Sequence, residues 1–257
     1  MTITGPGGIG KTRVAVAVAQ HFAQILEHDL WFSEFAPISE EALVPTVVAS
    51  AIGLNVHGDP LSAVAAYLRD RKGLVVLDNC EHVIAARLAE AVGRTSDGVA
   101  VLATSREPLR ADGERIYRLQ PLEFPSTAEG LPAMTAIKFP AIELFLERVH
   151  SVLGDYTLTD ADAPIVAELC RRLDGIALAL ELAAARSSSL GVRQLANGID
   201  DCLRVLTSGR RTALPRHRTL RAALDWSYDG RTSRVPALGG VRRGLLSKFR
   251  PGSCCRE

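Results

Sequence analysis

The sequence lacks the long hydrophobic run that a membrane span requires. No stretch of its 257 residues approaches the roughly eighteen uninterrupted apolar positions needed to cross a bilayer. Met1 leads within a few residues into a glycine-rich segment and not into a signal peptide. We therefore expect no membrane association and a cytoplasmic location.

Cysteine is present, but not in the patterns that bind metals or build disulfide frameworks. The five cysteines are odd in number and scattered, without C-x-x-C spacing or a histidine at ligand distance: Cys80, Cys170, Cys202, Cys254 and Cys255. We predict that they are free thiols. The 47% hydrophobic and 23% charged composition suffices for one full core and a smaller second unit.

The two ends of the chain differ in charge, although the net charge is only +1. Residues 1–202 hold 17 Lys and Arg against 26 Asp and Glu, whereas residues 203–257 hold 13 against 3. A basic end can bind nucleic acid. These arginines occur with glycine, serine and proline, however, which is equally typical of a solvated or foreign tail.

Short β-rich runs alternate with helical stretches over residues 1–120. The alternation predicts an α/β fold, with a parallel sheet covered by helices on both faces. The predicted strands are Thr2–Thr4, Leu30–Phe35, Leu74–Leu77, Val99–Thr104 and Arg115–Leu119. The predicted helices are Lys11–Leu26, Glu41–Ile52, Leu61–Arg69 and Glu81–Val92.

A different organisation follows the proline- and glycine-rich segment 122–138, which indicates a linker. Apolar residues then recur at helical spacing in Ala141–Leu153, Ala163–Leu173, Leu178–Leu190 and Val192–Leu206. Asp160 or Asp162 is the predicted N-cap of the second of these helices. We predict an α/β domain over 1–135 and a small all-α domain over 136–212. One more amphipathic helix is predicted at Thr219–Tyr228. It lies in a separate segment, 213–229, that follows the all-α domain.

A complete phosphate-loop motif opens the chain. The pattern G-x-x-x-x-G-K-[ST], preceded by a β-type run and followed by a helix, is matched by Gly5-Pro6-Gly7-Gly8-Ile9-Gly10-Lys11-Thr12. In such a loop backbone N–H groups surround the β-phosphate, Lys11 bridges the β- and γ-phosphates, and the Thr12 hydroxyl ligates Mg²⁺. The α/β domain is thus predicted to be a P-loop NTPase that binds ATP with Mg²⁺.

An acidic residue follows a later apolar strand, as Mg²⁺ binding in such proteins requires. Asp78 ends the run Leu-Val-Val-Leu-Asp and is predicted to hold Mg²⁺ through water. The next residue is Asn79, where many P-loop ATPases carry a second carboxylate that activates water. An amide cannot accept that proton, so hydrolysis should be slow. Glu81 is the candidate catalytic residue, although an acid in a first helical turn is also explained by the helix dipole.

Arg106 follows the next predicted strand, in the segment Val-Leu-Ala-Thr-Ser-Arg. The carboxyl ends of strands in an open α/β sheet border the ligand crevice. Arg106 is therefore a candidate contact to the γ-phosphate. A plain surface arginine is the alternative.

Taken together, these motifs resemble one family of signalling ATPases. GPGGIGKT, LVVLDNCEH, VLATSREPL, LCRRLDGIALALELAAAR and HRTLRAALDWSYD occur in the order of the STAND class, and are similar to the NB-ARC-type module of bacterial LuxR/AfsR-like transcriptional regulators. The resemblance covers roughly residues 1–229. It implies a five-stranded nucleotide-binding domain, a helical domain that closes over the nucleotide, and the start of a winged helix, truncated here.

The resemblance also assigns roles to single residues. It implies that Arg106 senses the γ-phosphate and that the segment Gly175-Ile176-Ala177-Leu178, where relatives have Gly-Leu-Pro-Leu, contacts the nucleotide through Ala177. Alanine in place of proline should loosen this contact without abolishing it. After Asp229 the family pattern stops, and we expect 230–257 to be a disordered tail from a shifted reading frame or a truncated gene.

Four functions remain open at this point. A nucleotide-dependent switch within a larger regulator, whose other domains and protein partners supply the output, fits the motifs best. A faster P-loop enzyme, either an ATPase or a small-molecule kinase, lacks a base at Asn79 and an evident second substrate motif. A DNA-binding protein using Arg216, Arg218 and Arg221 would need a recognition helix that the sequence does not offer. A non-functional truncated fragment is the fourth. A GTPase is disfavoured, because no Asn-Lys-x-Asp motif occurs.

Overall fold

The structure, a computed structural model, describes residues 1–26, 28–35, 43–80 and 85–207. These residues form two compact units. The first comprises Met1–Gly5 and Lys11–Leu119, and the second comprises Pro6–Gly10 and residues 120–207. None of the described helices combines the length and apolarity that crossing a membrane requires.

A parallel sheet forms the centre of the first unit. Its strands are β1 (Thr2–Thr4), β2 (Asp29–Glu34), β3 (Gly73–Asp78), β4 (Val99–Ser105) and β5 (Ile116–Arg118). The strand order is β2-β3-β4-β1-β5, and every neighbouring pair is parallel. This confirms the predicted α/β class, and each predicted strand ends within one residue of the observed one. Because β1, β3 and β4 are adjacent, the segments that follow them leave the same edge of the sheet.

Helices cover both faces of this sheet, as predicted. They are α1 (Lys11–Leu26), α2 (Val44–Ala51), α3 (Pro60–Leu68) and α4 (Ala86–Thr95). Leu74 and Val76 of β3 share a buried cluster with α1, whereas the alternating Val75 and Leu77 pack with α2, α3 and α4. A strand buried on both faces explains the continuous apolar run that the sequence shows here.

Two of these helices differ from the prediction by more than one residue at an end. Helix α4 runs from Ala86 to Thr95 and not from Glu81 to Val92; residues 81–84 lie outside the described ranges, and in the last turn the Thr95 hydroxyl donates to the carbonyl of Ala91 (2.7 Å). The predicted helix Glu41–Ile52 is observed only from Val44, and its first residues lie outside the described part of the chain.

The second unit is helical, with α5 (Ala133–Ala136), α6 (Pro140–Leu153), α7 (Ala163–Arg172) and α8 (Ala177–Thr207). Gly191 interrupts α8 with non-helical angles (φ 71°, ψ 155°), so the two helices predicted on either side of it are confirmed. The short helix α5 was missed, because it lies within the predicted linker. The side chain of Asp160 accepts the N–H of Ala133 at its start (2.8 Å). Asp162, and not Asp160, precedes α7, and its side chain makes no cap bond.

The core of the second unit is assembled from all four helices and the segment before them. Fully buried residues include Ile142 and Phe145 of α6, Leu180 of α8, and Cys170 of α7. Burial raises the pKa of the Cys170 thiol to about 12, so this cysteine stays protonated and inert. Cys80 and Cys170 are buried thiols that form no disulfide, as predicted for these two residues.

Acid should weaken the second unit through one carboxylate. Hydrogen bonds from Arg171 (2.6 and 2.7 Å) and Arg172 (2.6 Å) outweigh the effect of burial and lower the pKa of Glu168 from 4.5 to about 2. A carboxyl pKa lowered by folding stabilises the native state above about pH 4.5 and stops doing so as the pH falls towards 2. We expect Glu168→Gln to lower the urea midpoint at pH 6 and to match the wild type near pH 2. An equal difference at both pH values would contradict the role of this charge.

Candidate functional site

The predicted phosphate loop links the end of β1 to the start of α1. β1 ends at Thr4 and α1 begins at Lys11, so residues 5–10 form the connection. Gly8 and Gly10 have φ angles of 75° and 107°, which side-chain-bearing residues rarely adopt. A Cβ at Gly10 would meet no atom within 4 Å, so the backbone conformation, and not crowding within the protein, requires glycine at this position. The sequence therefore folds as a strand, a glycine loop and a helix, the arrangement that the motif requires.

Lys11 is the first residue of α1, and its side chain turns back towards Gly5. The residue is only 7% exposed, and its Nζ donates to the carbonyl oxygen of Gly5 (3.1 Å). The ammonium group is thereby held beside Gly5, directly after the end of β1. An ammonium at a helix N-terminus adds to the positive potential there, so this end of α1 suits an anion.

Thr12 and Asp78 meet although 66 residues separate them in the sequence. The Thr12 hydroxyl donates to the carboxylate of Asp78, at 2.9 Å from Oδ1 and 3.1 Å from Oδ2. Asp78 is the last residue of β3 and is 5% exposed. The two residues predicted from separate motifs to serve Mg²⁺ thus lie side by side.

A residue without a role in the sequence prediction also contacts Asp78. Thr104 lies near the end of β4, is 1% exposed, and donates its hydroxyl hydrogen to Asp78 Oδ1 (2.6 Å). The same hydroxyl oxygen accepts the N–H of Asn79 (2.9 Å), and the Thr104 carbonyl accepts the N–H of Cys80 (2.9 Å). The signal that could have identified it is a hydroxyl residue at the end of the strand following that of Asp78.

Asn79 has an unusual backbone conformation directly after Asp78. Its φ angle of 65° lies in the left-handed region, which asparagine and aspartate tolerate better than other side-chain-bearing residues. This turn breaks the extended conformation of β3 at once and lets the next N–H groups bond to Thr104. The main chain therefore places residue 79 at the carboxyl edge of the sheet.

Arg106 is the first residue after β4. In the parallel register Thr4 of β1 pairs with Ser105 of β4, so Gly5 and Arg106 leave adjacent strands at the same level. Arg106 is exposed. Arg106 therefore lies at the carboxyl end of β4, and its contact to the γ-phosphate stays a prediction.

Ala177, predicted to contact the nucleotide, opens helix α8 of the second unit. The N–H of the next residue, Leu178, donates to the carbonyl of Gly8 (2.9 Å), and both residues belong to this unit. Gly175 has a φ of 62°, and its carbonyl accepts the N–H of Leu122 (3.0 Å). The segment 175–178 is thus fixed to Gly8 and to Leu122 by main-chain hydrogen bonds.

Several sequence predictions fall on residues outside the described ranges. The candidate catalytic Glu81 and its neighbour His82 lie in the gap 81–84. The predicted winged-helix start, the arginines Arg216, Arg218 and Arg221, and the tail 230–257 all follow residue 207.

The donor set around Asp78 consists of carboxylate and hydroxyl oxygens. Within the described ranges, no group of three or more His, Cys, Asp or Glu side chains could hold a metal ion. A zinc-type centre is therefore not found in that part of the chain. A carboxylate and a hydroxyl are hard oxygen donors, and Mg²⁺ is commonly held by one or two such groups together with phosphate oxygens and water. The pair Thr12 and Asp78 fits that requirement.

Two sequence relatives come from Mycobacterium tuberculosis. A proposed HTH-type transcriptional regulator is 40% identical over 233 residues, an alignment that covers 89% of this chain and 25% of the relative. An uncharacterised protein is 30% identical over 253 residues, covering 97% of this chain and 59% of the relative. This chain therefore spans a quarter of the first protein's length and more than half of the second's. Because the second alignment covers 97% of the chain, it extends beyond residue 229.

A solved structure has a similar fold. A chain in the structure of Drosophila ORC bound to DNA superimposes with a TM-score of 0.54 and 14% sequence identity, covering 92% of this chain and 64% of that one. At this identity the likeness is one of fold alone. No protein-family model matches the sequence.

Proposed function

We propose that this chain is an ATP- and ADP-binding switch module of a bacterial transcriptional regulator, of the STAND class and NB-ARC type. The observation that carries the proposal is the hydrogen bond between the Thr12 hydroxyl and the Asp78 carboxylate at the start of α1, the helix that directly follows the glycine loop in the sequence. Phosphate, Mg²⁺ and the residues that bind them have to converge in this way in a P-loop protein.

The residues of the loop supply the binding chemistry. The N–H groups at the start of α1 and the Lys11 ammonium would bind the phosphates, and Thr12 with Asp78 would hold Mg²⁺, Asp78 through water. Mg²⁺, when bound, neutralises charge on the β- and γ-phosphates. Arg106, Pro6, Gly7 and Ile9 complete the set of residues proposed to surround the nucleotide.

Slow hydrolysis is the expected consequence of Asn79. This residue follows Asp78 at the end of β3, where an activating carboxylate would stand, and an amide can orient water but not take its proton. Glu81 is the proposed alternative base. A slowly hydrolysing site holds its nucleotide state for long enough to act as a signal.

The regulator role is supported by the relatives. A protein whose name describes an HTH-type transcriptional regulator is 40% identical to most of this chain, while the chain covers only 25% of it. We propose that the full regulator places sensing and DNA-binding segments outside this module, that other domains or protein partners receive its signal, and that it works in the cytoplasm. In this scheme the γ-phosphate favours one arrangement of the P-loop and helical domains, with Ala177 at the nucleotide. Loss of the γ-phosphate lets the two domains separate.

Nucleotide analysis of the purified protein tests the switch directly. We expect the chain to retain ADP through purification and to hydrolyse ATP well below one turnover per second, because Asn79 is not a base. Asn79→Asp, which suits the left-handed backbone, should raise the single-turnover rate by at least about a hundredfold, the lower end of the usual range for general-base catalysis. Asn55→Asp adds the same carboxylate at an exposed position and should change nothing.

The opposite result would favour the enzyme alternative. Several turnovers per second in the unmodified chain, or phosphoryl transfer that depends on a small-molecule acceptor, would replace the switch with a P-loop ATPase or kinase. A chain that retains no nucleotide after purification and binds none when it is added would instead support the non-functional fragment.

A further inference from the structure

We propose that Thr104 is a positioning residue for Mg²⁺ at this site, acting through Asp78. The inference rests on the proposed nucleotide function and assigns a role to a residue outside the phosphate loop. Its basis is the set of hydrogen bonds that Thr104 makes from the strand next to that of Asp78.

Thr104 fixes the orientation of the Asp78 carboxylate. Its hydroxyl donates to Oδ1 (2.6 Å) in a buried environment, where Thr104 is 1% and Asp78 5% exposed. Hydrogen bonds to a charged acceptor are stronger than neutral ones, and a buried group has little water to replace them. The hydrogen bond from Thr104 on β4 therefore restricts rotation of the Asp78 side chain at the end of β3.

Thr104 also fixes the turn that ends β3. The oxygen that donates to Asp78 accepts the N–H of Asn79 (2.9 Å), and the Thr104 carbonyl accepts the N–H of Cys80 (2.9 Å). Asn79 adopts a left-handed φ of 65°, so these bonds offset a strained backbone position. A single hydroxyl therefore orients both the acid and the residue in the position of the absent base.

The arrangement extends from β4 to the phosphate loop. Asp78 Oδ1 accepts from Thr104 and, at 2.9 Å, from Thr12 of α1. Thr12 is the loop hydroxyl that would ligate Mg²⁺. Without the Thr104 hydroxyl, Asp78 could rotate away from Thr12, and the metal would lose one of the groups that hold it.

Mg²⁺ titrations of ATP binding test this role. We expect Thr104→Val, which keeps the shape but not the hydroxyl, to raise the Mg²⁺ concentration for half-maximal ATP binding by about tenfold, the loss of roughly one charged hydrogen bond. ATP affinity measured by calorimetry in EDTA should not change. Thr104→Ser, which retains the hydroxyl, should behave like the wild type. Thr95→Val is the matched control, because its hydroxyl bonds only within α4.

The outcomes separate this inference from the proposed function. A wild-type Mg²⁺ dependence in Thr104→Val, or an equal loss of affinity with and without Mg²⁺, would overturn the positioning role while leaving nucleotide binding intact. A wild-type chain whose ATP binding is unaffected by Mg²⁺ would overturn both. If Thr104→Val does not fold, Thr104→Ala removes the same hydroxyl with less crowding and gives the same comparison.

Discussion

Lys11→Ala should weaken binding of Mg-ATP by about 10- to 150-fold, the equivalent of 1.5–3 kcal/mol for a hydrogen bond to a charged group. The Lys11 ammonium is 7% exposed and lies against Gly5, so it is already held beside the loop before any phosphate arrives. Removing it eliminates the only contact proposed to bridge the β- and γ-phosphates. Calorimetry with Mg²⁺ and ATP measures the change.

The control for this experiment is an exposed lysine of the same unit. Lys72 precedes β3 at the opposite end of the strand from Asp78, and Lys72→Ala should leave ATP affinity unchanged. Asp78→Ala should act differently from Lys11→Ala, since its effect should disappear when Mg²⁺ is removed. Unaltered triphosphate affinity in Lys11→Ala would show that the glycine loop is not the phosphate site.

Gly175→Ala should destabilise the second unit by about 2–5 kcal/mol, from a left-handed backbone penalty and a steric clash. The φ of Gly175 is 62°, and an added Cβ would lie 2.1 Å from the carbonyl oxygen of Leu122, a backbone atom that no side-chain rotation can move. The hydrogen bond from Leu122 to Gly175 holds the two segments at this distance. Urea unfolding of the whole chain, monitored by circular dichroism, should show the loss.

Gly198→Ala is the matched control for this change. Gly198 lies within α8, without a positive φ, and an added Cβ there would meet no atom within 4 Å. Since alanine is the better helix former, this variant should be at least as stable as the wild type. Equal stability of Gly175→Ala and the wild type would mean that the close approach to Leu122 does not exist in the folded protein.

The sequence predicted the sheet well because its strands carry strong and unambiguous patterns. β3 is apolar on both faces and ends in Asp78, and the phosphate loop identified β1 although that strand has only three residues. Motif spacing thus located Lys11, Thr12 and Asp78, and the structure brings the last two within hydrogen-bond distance. Local patterns carry this information because each motif occupies one strand end.

What the sequence could not predict depends on contacts between distant segments. Thr104 gains its role only because β4 lies beside β3, and helix α5 begins where Asp160 reaches Ala133 from 27 residues away. The need for glycine at position 175 likewise depends on the distant Leu122, whose carbonyl oxygen would lie 2.1 Å from an added Cβ. The nucleotide contacts of Ala177 and Arg106 and the origin of residues 230–257 stay predictions.

The hydrogen bond from Leu178 to Gly8 does not depend on the side chain of either residue. Both partners are main-chain groups, so any residue with an N–H at position 178 preserves the bond, and proline alone would remove it. At the neighbouring position 177 this chain has alanine where the family pattern described above has proline, and that difference leaves the bond in place. A substitution at position 177 would therefore change only the proposed contact to the base end of a nucleotide, and the main-chain hydrogen bond to Gly8 would remain. The side-chain pattern of this segment can therefore differ from the family pattern although the main-chain hydrogen bond is the same.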